Sequence, residues 1–66
     1  MQTLSDAFVI EQARVREVLG QYKALGRAGV FGTIVIEELV CRADKSALEQ
    51  DTVAMLDIFR ELQAVK

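Results

Sequence analysis

The spacing of apolar and polar positions along the chain predicts three helices. In the first, the apolar residues recur at intervals of three, four and seven: Phe8, Val15, Val18, Leu19, Tyr22 and Leu25. This spacing predicts an amphipathic helix over residues 5–25, and Thr3 with Asp6 has the pattern of a capping box at its start. Val9 and Ile10 lie off the main stripe, so we interpret them as a second, intermolecular apolar patch.

The apolar pattern of residues 30–49 predicts a second helix that is apolar around most of its circumference. Helical spacing sorts its apolar residues into two stripes, one of Ile36, Leu39, Val40, Ala43 and Ala47 and the other of Phe31, Ile34 and Val35. A helix of this kind must be covered on more than one side. A chain of 66 residues has few elements to supply that cover, so we expect another copy or another protein to supply part of it.

Glycines and a capping residue divide the helices. Gly26 suits the left-handed position that ends a helix, and Gly29 lets the chain turn. The β-branched run at residues 30–36 also allows a strand, but no second strand-like segment exists to pair with it. Asp51 is an N-cap for a third helix over residues 52–65. The prediction is an all-α domain of residues 1–66, an antiparallel helical hairpin plus a short third helix, forming a homodimer.

Size is the reason for expecting a homodimer. A domain this small buries only about 60% of the surface that its unfolded chain exposes, and oligomerisation often supplies what a small core lacks. Cys41 is the only cysteine, so no internal disulfide can form. The residues assigned to the core or to the dimer interface are Phe8, Val15, Leu19, Tyr22, Phe31, Ile34, Val35, Ile36, Val40, Met55, Phe59 and Leu62.

Composition narrows the classes of partner and the compartment. The net charge of −2 gives no electrostatic reason to expect nucleic acid or an anionic lipid surface. No apolar run reaches the roughly 18–20 residues of a membrane span, and residues 1–6 lack the basic region and cleavage site of a signal peptide. With a single cysteine, the chain is expected in the cytoplasm.

The glycines at positions 26, 29 and 32 have the spacing of a phosphate-binding turn. No strand precedes them and no Lys-Ser/Thr pair follows, so turn and packing roles are expected. The adjacent carboxylates of Glu37 and Glu38 point about 100° apart on a helix, and the chain has no histidine to act with them. Cys41 likewise lacks a base and is interpreted as a small buried hydrophobe. We therefore predict no catalytic residue, cofactor, metal or small-molecule ligand.

Basic residues on the first helix are the remaining candidates for recognition. Arg16, Lys23 and Arg27 share one helical face with Gly20 between the first two. The predicted partner-binding residues are the exposed apolar and cationic ones at this helix and its end: Val9, Ile10, Arg14, Arg16, Lys23 and Arg27. A helix-turn-helix DNA reader presents cationic or amide side chains to base edges, whereas the second helix presents Ile, Val and Glu. Direct DNA reading is disfavoured, and a small DNA-associated transcription regulator stays as the alternative.

Residues 26–32 (GRAGVFG), the apolar Ile36, Ala43 and Ala47, and residues 51–55 (DTVAM) resemble a group of small phage and prophage early-region proteins. The resemblance extends over about residues 8–62, but its motifs are helix-packing motifs and are not specific to an activity. In length and helical layout the chain is also similar to phage quorum-sensing anti-activators. That resemblance implies a non-enzymatic homodimer, phage-encoded, that binds and inhibits a LuxR-type transcription activator and a pilus-assembly ATPase of the bacterial host.

Overall fold

The computed structural model describes residues 3–66, and this range forms three α-helices without a strand. Helix α1 spans Leu4–Ala24, α2 spans Val30–Leu48 and α3 spans Thr52–Ala64, with a 3-10 turn at Gly26–Gly29 between α1 and α2. The all-α prediction is confirmed, and each helix end lies within one residue of its predicted position. Met1 and Gln2, the first residues of the segment considered for a signal peptide, lie outside the described residues.

The predicted caps are present at three helix ends. The Thr3 hydroxyl accepts a hydrogen bond from the Asp6 backbone N–H at 3.2 Å, and the Asp6 carboxylate accepts one from the Thr3 N–H at 3.4 Å. These are the two halves of a capping box. The Asp51 carboxylate accepts from the Ala54 N–H at 3.2 Å and so begins α3. Gly26, with φ of 62°, ends α1 in the left-handed conformation.

The end of α2 was not predicted in this detail. The Asp51 N–H donates to the Ser46 carbonyl at 3.1 Å, and the Gln50 N–H donates to the Ala47 carbonyl at 3.2 Å. This is a Schellman motif, which places one residue in the left-handed region. Gln50 takes that position with φ of 54°, where a glycine would be the common choice.

One hydrophobic core lies between the three helices. Its buried apolar residues are Phe8 and Val15 of α1, Ile36, Leu39 and Ala43 of α2, and Met55, Ile58 and Leu62 of α3. The partly buried residues that pack against them include Leu19, Tyr22, Val40 and Phe59. The first predicted stripe of α2 therefore faces the core. Phe31, Ile34 and Val35 of the second stripe are exposed, so the other described residues leave them largely uncovered.

Cys41 was expected in the core, and that expectation was wrong. Its side chain is exposed. Successive residues of a helix point about 100° apart, and the inward side of α2 is occupied by Leu39 and Ala43. Cys41 consequently shares the solvent side of α2 with Glu38 and Lys45.

Two glycines bring the start of α2 close to Tyr22 of α1. A Cβ atom on Gly29 would overlap the backbone carbonyl of Tyr22, and one on Gly32 would lie 2.5 Å from its ring. Both glycines are needed because the helices approach too closely for a side chain. Gly20 differs, since a Cβ there would meet no atom of the described residues within 4 Å. The described residues of this chain make no close helix contact at Gly20.

Alanine substitutions at Gly29 and Gly20 should therefore change the free energy of unfolding in opposite directions. Gly29→Ala should lower the free energy of unfolding by at least about 2 kcal/mol, because the backbone of α1 must move to admit the methyl group. Gly20→Ala should raise it by roughly 0.5–1 kcal/mol, since alanine favours the helix and meets nothing. Urea unfolding followed by circular dichroism measures both. Equal effects at the two sites would contradict this packing.

Candidate interaction surfaces

The predicted basic face of α1 contacts acidic residues of α2. Arg16 forms an ion pair with Asp44, and the Lys23 ammonium lies 3.0 Å from a carboxylate oxygen of Glu37. Gln12 also donates to Asp44, at 3.0 Å. These side chains are about half exposed, so each pair contributes no more than about 1 kcal/mol. Their main effect is to align α1 with α2, and they occupy cations that the sequence suggested for a partner.

Arg14 holds the end of α3 against α1. Its guanidinium donates to the carbonyl oxygens of Leu62 at 2.6 Å and Val65 at 2.7 Å, and its Nε donates to Glu11 at 2.8 Å. Helix ends leave their last carbonyls without an intrahelical partner, and a cation is favoured there. Arg14, predicted to bind a partner, thus has a structural role within the chain.

The first turns of α2 carry an apolar surface that the other helices leave open. We call Val30, Phe31, Ile34 and Val35 the α2 apolar face. Phe31 is 81% exposed and Ile34 is 60% exposed, and the two valines are about half exposed. Val30 borders α1 beside Lys23, whereas Val35 borders the end of α3. All but Val30 were predicted for the core or the dimer interface, and the structure places them outside the core of the single chain.

A second apolar surface lies around the α2–α3 turn. Leu48 and Val53, on either side of the turn, are 85% and 72% exposed. Val9 of α1 is 62% exposed and lines a groove of about 480 Å³ beside the turn, with Phe8 and Met55 among its other walls. We call Val9, Leu48 and Val53 the turn-end surface. Val9 was predicted from the sequence as part of an exposed apolar patch, whereas Leu48 and Val53 were not, although both lie off the apolar stripes of their helices.

Two predicted partner-binding residues, Ile10 and Arg27, take part neither in the ion pairs described above nor in the two apolar surfaces. Ile10 is exposed next to Val9 along α1, and Arg27 is exposed in the 3-10 turn. Arg27 and Glu38 form no ion pair with a residue of the range 3–66. By contrast Arg42, close to Glu38 on α2, lies 2.9 Å from Glu61 of α3.

In the described part of the chain, no three histidine, cysteine or acidic side chains are grouped as a metal site would require. None of the helices in residues 3–66 has both the length and the apolar character needed to cross a membrane. No family model, curated protein or solved structure matches the chain.

The role of Arg14 can be tested by stability. Arg14→Met keeps the length of the side chain but removes its donors, so the Val65 carbonyl loses its side-chain donor and the Leu62 carbonyl keeps only the backbone N–H of Val65. We expect the free energy of unfolding to fall by about 1–2 kcal/mol and amide exchange near the end of α3 to accelerate. Arg60→Met is the matched control, because Arg60 is exposed on α3. Equal stability of the two variants would contradict the role of Arg14.

Proposed function

We propose that the chain is a homodimeric interaction module that inhibits host proteins by stoichiometric binding. The observation that supports it is the presence of two exposed apolar surfaces, the α2 apolar face and the turn-end surface. Exposed apolar groups gathered in one place are typical of sites where proteins associate. One surface serves the second copy of the chain and the other serves the host partner.

The helical hairpin belongs to this proposal. Lys23, near the end of α1, pairs with Glu37 near the start of α2, and the earlier Arg16 pairs with the later Asp44. These two contacts support an antiparallel arrangement of α1 and α2. The arrangement leaves the turn-end surface remote from the α2 apolar face.

The turn-end surface is the proposed site for the host protein. Its residue Val9 lines a groove with Gln50 and Thr52 beside the turn, and buried apolar anchors supply much of the energy at protein interfaces. Val9 and Ile10 keep the predicted partner-binding role, whereas Arg14, Arg16 and Lys23 contribute to the chain's own packing. The resemblance to phage anti-activators specifies the partner as a LuxR-type transcription activator, with a pilus-assembly ATPase as a second, in the cytoplasm of a bacterial host.

The inhibition is tested by titrating the purified chain into a complex of a LuxR-type activator with its promoter DNA. We expect the activator to leave the DNA at near-equimolar chain. Val9→Asp should raise the required concentration at least tenfold, because a carboxylate would have to be buried at the interface. Ala13→Asp places the same charge at another exposed position of α1 and should have little effect.

Two results would contradict the proposal. An activator that stays on its DNA at tenfold excess of the chain would remove the inhibitor role for that partner. A mobility shift of DNA by the chain alone at low salt would instead support the DNA-associated regulator. The solvent side of α2 makes that second result unexpected, because Glu37 and Glu38 lie there and carboxylates repel phosphate.

A further inference from the structure

We infer that the α2 apolar face is the contact between two copies of this chain, packed antiparallel about a twofold axis between residues 32 and 33. The inference rests on the homodimer of the proposed function and assigns to it a surface and a register. The centre of the contact is Phe31, the most exposed aromatic side chain of the described residues. A twofold contact requires a surface that is complementary to itself, and the residues around Phe31 meet this requirement.

Four exposed positions form a seam along the solvent side of α2 and the turn before it. Arg27, Phe31, Ile34 and Glu38 follow one another at spacings of four, three and four, which is the spacing of a coiled-coil seam. The twofold axis places Phe31 opposite Ile34 of the second copy. It also places Arg27 opposite Glu38 of the second copy. The two Phe31–Ile34 pairs form the apolar centre of the interface, and an Arg27–Glu38 pair lies at each end of it.

The charges at the ends of the seam are available for this pairing. Arg27 and Glu38 are exposed and form no ion pair with the described residues of their own chain, while the adjacent Glu37 is paired with Lys23. Opposite charges around an apolar centre fix the register of an interface and disfavour other partners. Arg27 precedes Phe31 by four residues and Glu38 follows Ile34 by four, so one chain supplies both complementary charges and a second copy is favoured as the occupant.

The size of the surface also fits a second copy. With Arg27 and Glu38 included, a twofold contact over this region buries at most on the order of 1,200 Å², the lower end for specific interfaces. Val30 and Val35 flank the two central layers on either side and widen the apolar centre. Because an interface of this area is small, we expect the dimer to dissociate when the protein is diluted.

A longer overlap of the two α2 helices is less favourable. Sliding the copies until Phe31 lies opposite Leu48 brings Ile34 opposite Lys45 and Glu38 opposite Cys41 of the second copy. Charged groups would then be buried against apolar ones without a partner, which is costly. The short register keeps apolar side chains opposite apolar side chains.

Sedimentation equilibrium over a concentration series tests the surface. We expect the wild-type chain to dimerise, and Phe31→Glu and Ile34→Asp each to weaken the dimer at least about 30-fold, the effect of losing a central anchor. Both residues are exposed in the single chain, so the variants should keep their helical circular dichroism. Leu48→Glu is the matched control, because it changes an even more exposed apolar residue of α2 outside the short register, and it should leave dimerisation unchanged.

The register is tested by exchanging charges. Arg27→Glu and Glu38→Arg should each weaken the dimer about three- to tenfold, because each places like charges opposite one another twice per dimer. The double variant should return to within about twofold of the wild type. Cys41 offers a second measurement: the short register separates the two thiols by about 25 Å along the helix axis, so a short bismaleimide should not link them.

The outcomes separate this inference from the proposed function. A wild-type dimer that tolerates Phe31→Glu, lacks charge rescue, or is readily linked through Cys41 would overturn the surface or its register and leave the homodimer intact. A wild-type chain that is monomeric at every concentration would overturn the homodimer as well. A monomer that loses the host activator on Phe31→Glu would assign the α2 apolar face to the host partner, against the inference.

Discussion

The close packing of Tyr22 against the first turn of α2 determines the arrangement of the molecule. Gly29 and Gly32 leave no room for a side chain at this contact, so α1 and α2 meet at a short distance directly after the turn that joins them. This approach directs Ile36 and the later residues of the same stripe toward α1 and α3. It also leaves Phe31 and Ile34 largely exposed. The core and the exposed apolar face are therefore two results of one contact.

The number of helices explains why α2 stays partly uncovered. Two neighbouring helices can cover one side of a third, and α2 contains apolar residues on two sides. Arg42 and Glu61 bind α2 to α3 on one flank, and Lys23 and Glu37 bind it to α1 on the other. The first turns of the remaining surface between these flanks form the α2 apolar face. A small all-helical chain with this composition exposes apolar surface even when its core is well packed.

Local features of the fold could be predicted from the sequence, because they depend on residues a few positions apart. The capping box at Thr3, the left-handed conformation of Gly26 and the periodic spacing of the core residues are local features of this kind. Arg14 shows the limit: its carbonyl partners in α3 lie 48 and 51 residues later in the chain. The exposure of Cys41 likewise depends on the side of α2 against which α3 packs. Such contacts require the tertiary arrangement, so cations that looked available for a partner were found to bind the chain itself.

The two apolar surfaces differ in a way that bears on their use. The seam on α2 combines apolar centre and complementary charges from one chain, a property that suits identical copies. The turn-end surface combines Val9 with a groove. In the proposed dimer the twofold axis passes near the start of α2, so the two turn-end surfaces lie at opposite ends of the assembly. Two separated copies of one binding surface favour a partner that is itself a dimer, because the second contact then forms within the same complex.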